Sequence, residues 1–174
     1  MVNFRSEIKL FLFSRLKMNG PQLMIFQWEG LKSECWYHRA TMQNSLLHST
    51  LSAFYMPYRL GDPYRLVSSI QSELQSDHDV MTRQARHHNL FADEQIVMTV
   101  ATAFEKIIYV FSEHLNQLNV YNRENGTGCI CLYQTLDSRY HLIGTFRNND
   151  VKTYFGINDD LIKEIDHLGP RSPR

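Results

Sequence analysis

A chain of 174 residues can bury a substantial core yet remain one domain. Its 43% hydrophobic and 12% aromatic content excludes an intrinsically disordered polymer. Basic and acidic residues number 18 each, so the cationic surplus typical of nucleic-acid binders is missing and no nucleic-acid partner is expected.

In chain order, the first segment to show a pattern is residues 3–18. Ile8, Leu12 and Leu16 recur at helical spacing, as do Phe4 and Phe11, which predicts an amphipathic helix packed on the domain. A membrane-surface helix with Arg5, Lys9, Arg15 and Lys17 outward is the alternative. Its longest unbroken apolar run, Leu10 to Phe13, is far below the ~20 residues that span a bilayer, so no membrane span is expected. After Gly20-Pro21, "QLMIFQW" suits a buried strand or an extended segment, and residues 30–41 are mixed and carry no clear periodicity. A helix is predicted to start at Ser45 and end before Pro57, with Leu46, Leu47, Thr50, Leu51 and Phe54 on one side. Asp62-Pro63 supplies an N-cap and a first-turn proline for a helix through about Ser76.

"FADEQIVMTVATAFEK" is the clearest helix, with Ile96, Val97, Val100, Ala101 and Phe104 as its apolar stripe. It leads into "IIYVF", residues 107–111, a β-branched and aromatic strand. Segments 128–134, 139–146 and 151–157 read as a β-meander with turns at Asp137-Ser138 and Asn148-Asn149-Asp150. A last helix covers about Asp159 to Leu168. Helices first and a sheet afterwards predict an α+β fold, an α/β sandwich. One domain over residues 1–168 is expected, with a disordered tail at 169–174 and a monomeric state.

Three cysteines, Cys35, Cys129 and Cys131, are too few for a disulfide framework and fit a reducing compartment. Cys129 and Cys131 share one strand face and make a poor zinc site without a second pair. His78, His87 and His88 lack a metal-binding spacing, and no cofactor motif is present. Without a secretory signal, Asn125-Gly126-Thr127 reads as a turn rather than a glycosylation acceptor, and a cytoplasmic location is expected, with a nuclear one left open.

The order of these pieces resembles the ovarian-tumour (OTU) family of deubiquitinating cysteine proteases. In that family a turn of the type Asp-Gly-Asn-Cys precedes an aliphatic or aromatic pair and then His-Ser. Here the matching segment is Met42-Gln43-Asn44-Ser45-Leu46-Leu47-His48-Ser49. Further on follow the Ala92-Asp93-Glu94 helix start and the strands "IIYVF", "CICLY" and "RYHLIG", so the likeness spans about residues 40–146. It implies a papain-like architecture, a central, mostly antiparallel sheet of about four to five strands flanked by helices, and ubiquitin or a ubiquitin-like protein as partner.

The resemblance places Ser45 at the nucleophile position, where the family has Cys, and Asn44 in the oxyanion turn. Met42 and Gln43 stand where the family has Asp and Gly, so the loop lacks the glycine that turns backbone amides toward an oxyanion. The family's base is a His followed by an aromatic residue, and two registers of Arg139-Tyr140-His141 are open. Either Arg139 occupies the base position and His141 the orienting position, or His141 is itself the base. Residues 139 and 141 differ by one two-residue strand step of ~6.6 Å, whereas a base must approach to ~3 Å, so the two registers are chemically distinct.

A thiol is a good nucleophile once a neighbour lowers its pKa, whereas a serine needs a well-aligned base and oxyanion hole. The expectation is therefore a catalytically impaired OTU-like domain that binds ubiquitin or another protein. One alternative is an active isopeptidase with His141 as general base and a native cysteine substituted at Ser45. Another is a scaffold reused for a partner outside ubiquitin biology. Ser45 as a simple helix cap remains open beside these readings, worth about 1 kcal/mol. "SECWYHRA" offers Cys35 as a rival nucleophile, ten residues early and without a clean apolar stripe after it.

Overall fold

The computed structural model of the protein describes residues 23–39, 45–54, 92–147 and 150–169. The expected helices at 3–18 and about 62–76, the turn residues Met42, Gln43 and Asn44, the polar loop with His78, His87 and His88, and residues 170–174 of the tail lie outside these.

The described elements run β1 (Leu23–Phe26), β2 (Cys35–His38), α1 (Ser45–Phe54), α2 (Ala92–Ala103), β3 (Ile107–Ser112), β4 (Gln117–Tyr121), β5 (Cys129–Gln134), β6 (Tyr140–Arg147), β7 (Asp150–Lys152) and α3 (Asp160–Leu168). All seven strands form one mixed sheet in the order β1-β2-β6-β5-β3-β4, with β7 also paired to β6. The β3–β5 pair is parallel and the other pairs are antiparallel. This is an α+β fold whose sheet exceeds the four to five strands expected.

The added strands are β2 and β4. β1 lies within "QLMIFQW", expected as a buried strand or extended segment, but Met24 and Ile25 are exposed and Phe26 is the buried one, because β1 is the sheet's edge; β2 lies in the mixed stretch 30–41. β4, "QLNVY", is a short edge strand with polar Gln117 and Asn119 among its five residues, so it carries no strong apolar signal. The expected strand 151–157 is reduced to the three residues of β7, after which Phe155 bridges back to Cys129.

β3 explains its unbroken apolar run: all six residues are buried because both faces of the sheet are covered. Ile108 and Val110 enter a core with Leu46, Leu47 and Leu51 of α1 and Val97, Val100 and Ala101 of α2. The alternate residues Ile107, Tyr109 and Phe111 enter a second core with Leu161, Ile162 and Ile165 of α3. Ile96, expected in the α2 stripe, is instead 36% exposed.

Aromatic rings extend the second core toward β1, where Phe26 lies 5.1 Å from Phe111 and Trp28 also lies 5.1 Å from it. Tyr109 carries a polar tip into this layer and donates to Asp166 of α3 at 3.0 Å. Burial, followed by the carboxylate of Asp166, holds its phenol well above the usual range. Among the described residues, no helix is long and apolar enough to cross a membrane.

Candidate functional site

The site is built where α1 begins and β6 begins. In the β5–β6 ladder Gln134 stands opposite Tyr140, while Thr135 N–H donates to the Arg139 carbonyl at 3.0 Å. Antiparallel ladders alternate, so this register makes Gln134–Tyr140 a wide pair and turns the Tyr140 N–H and C=O away from β5. On that other side β2 ends at His38, opposite Leu142, two residues short of Tyr140.

The helix takes the place of the missing strand. Ser45 Oγ accepts the Tyr140 N–H at 2.9 Å, and Ser49 Oγ donates to the Tyr140 carbonyl at 2.9 Å. Residues four apart share one face of a helix, which is why two serines can grip the amide and the carbonyl of a single residue. α1 is consequently buried on its polar side as well as its leucine side, from Ser45 through Ala53. Its far end is tied to the sheet side too, where Thr153 Oγ1 donates to the Ala53 carbonyl at 3.0 Å.

The chain thus brings Ser45 against the backbone of the segment that holds Arg139 and His141. It does not bring either side chain onto the hydroxyl. Tyr140 and Leu142 belong to the core shared with α1, whereas Ile143 belongs to the core shared with α3. Strand alternation therefore points His141 to the α3 side, away from α1. There its ring centroid lies 5.5 Å from Tyr37 and 6.2 Å from Tyr133, and its Nε2 lies 3.2 Å from Thr135 Oγ1. Thr135 Oγ1 in turn bonds Asp137, linking carboxylate, hydroxyl and imidazole at the β5–β6 turn.

Burial lowers the His141 pKa to about 4; Asp137 works against that, while Arg39, Arg139 and His38 add to it. Arg139 precedes the strand, with its Nε 3.3 Å from Asp137 Oδ2 on the surface. Asn44 lies outside the described residues. Ser45 itself is only 3% exposed.

Cys35, the rival nucleophile, is 1% exposed in the second core. Burial first, then Glu164 and Glu34, push its thiol up to about 12, the opposite of an activated cysteine. Cys129 and Cys131 face the same core from β5. Sequence reasoning missed Ser49 as the second half of the grip. Its i, i+4 spacing from Ser45 was readable, but its partner 91 residues away was not.

No family model, curated protein or solved structure matches the chain.

Proposed function

We propose that this protein is a non-hydrolytic, OTU-like protein-binding module whose partner is ubiquitin or a ubiquitin-like protein. One observation carries the loss of hydrolysis: the Ser45 hydroxyl is buried and accepts a backbone N–H, while His141 faces the other side of the sheet. A nucleophile needs an exposed oxygen and a base within hydrogen-bond reach of its proton. The partner class rests on the resemblance across residues 40–146 and on its site pieces, since Ser45 and the Arg139-Tyr140-His141 segment meet at one joint.

The test uses the full chain. With di-ubiquitin and a ubiquitin fluorogenic ester, no turnover is expected, and measurable turnover overturns the reading. Titration of isotope-labelled ubiquitin with the chain is expected to shift a contiguous set of amide resonances. An unchanged spectrum removes ubiquitin as the partner. Ser45→Cys is expected to stay inactive toward both substrates, because a thiol at this place still lacks a base on its face.

A further inference from the structure

Three histidines are buried among the described residues: His38, His48 and His141. His38 pairs with Leu142 across the β2–β6 ladder and so projects to the sheet face that α1 covers. It is 1% exposed, and neither ring nitrogen has a hydrogen-bond partner. His48 lies on α1 between the two serines that grip Tyr140 and is buried as well.

Among the described residues, the charged surroundings offer little to a proton arriving at His38. α1, "SLLHSTLSAF", contains no carboxylate and no basic group besides His48. β1, β3, β4 and β5 carry no charged residue. Arg39 follows β2, Arg139 precedes β6, and His141 and Arg147 stand within it, all basic groups, with Asp137 in the preceding turn and Asp150 of β7 as carboxylates. α2 has Asp93 and Glu94 in its first turn. A protonated His38 would be a buried cation with no acceptor among the described residues, which is strongly disfavoured. Burial accordingly lowers the proton affinity of both His38 and His48.

We propose that the grip of α1 on Tyr140 is an acid-released clamp, in which protonation of His38 drives the helix off the start of β6. The sign follows from linkage. In the clamped molecule the His38 ring stays neutral below the ordinary histidine pKa of ~6.5, whereas in the released molecule it takes up a proton there. The clamp is at full strength above that pH. His38 then weakens it by up to about tenfold per pH unit as the solution is acidified. The inference stands on the joint itself and not on the identity of the binding partner.

Hydrogen exchange of the full chain between pH 7.5 and 5, corrected for intrinsic rates, tests this. Protection of the Tyr140 amide is expected to fall by about tenfold or more, while the Ile108 and Val110 amides of β3 keep theirs. Constant protection at Tyr140 overturns the proposal, as does a loss in step with β3, which would be global unfolding. His38→Leu is expected to flatten the pH dependence, and a folded variant with unchanged dependence overturns it. Ring-proton NMR of the unsubstituted chain gives a reading that needs no variant. His38 is expected to titrate together with the loss of Tyr140 protection, and titration while that amide stays protected overturns the proposal.

Discussion

Ser45, open in sequence to reading as a nucleophile position or a helix cap, gains a tertiary role from a single contact. A nucleophile, a cap and a tertiary strut all call for a small polar side chain at that place. The 2.9 Å bond from the Tyr140 amide makes it a strut. Ser45→Ala is therefore expected to strand a buried N–H and to lower stability by about 1–3 kcal/mol in urea unfolding. Ser49→Ala should strand the carbonyl of the same residue at a similar cost. Both act on Tyr140, so the double variant should lose less than the two single losses added together. The residue type and the helix start were legible in the chain. The partner was not, because nothing local links residue 45 to residue 140.

At the level of elements, the passage from α2 to β3 turns on one backbone conformation. Glu105 has φ 54, its N–H reaches the Thr102 carbonyl at 3.1 Å, and the Lys106 N–H reaches Ala101 at 2.9 Å. This is a Schellman ending with glutamate where glycine is preferred. Glu105→Gly is expected to raise stability by about 0.5–1 kcal/mol, seen as a higher urea midpoint with an unchanged slope.

The following turn separates two glycines that look alike in sequence. A Cβ at Gly126 would lie 2.6 Å from the Ile107 backbone nitrogen, which is held in the sheet. A Cβ at Gly128 would meet the hydroxyl end of Tyr154, a ring 36% exposed and able to swing aside. Gly126→Ala should cost on the order of 3 kcal/mol, and Gly128→Ala clearly less, in the same unfolding assay.

On the scale of the whole molecule, two cores sandwich the sheet, and the second one contains every cysteine. Cys35 is 1% exposed, and Cys129 and Cys131 are 0% exposed. Burial leads in raising all three thiols, Cys35 to about 12 and Cys129 to about 11. A thiol reagent at neutral pH is expected to find no fast-reacting cysteine in the native chain, with labelling of all three appearing together at the urea midpoint. Rapid labelling of Cys35 in the native chain would contradict its place in the core and restore it as a reactive thiol.

The chain by itself determined the helix from Ser45, the helix from Ala92, the strand 107–111 and the closing helix near 160–168, because each rests on local periodicity and end residues. It also determined that strands near 128–134 and 139–146 follow one another antiparallel, since a short turn at Asp137-Ser138 permits little else. Tertiary structure alone decided that β3 pairs in parallel with β5, that β2 lies beside β6, and that His141 and Ser45 look to opposite faces. Those outcomes depend on contacts tens of residues apart. Strand pairing and register are set by which apolar faces can be covered at once, and no short window of residues holds that information.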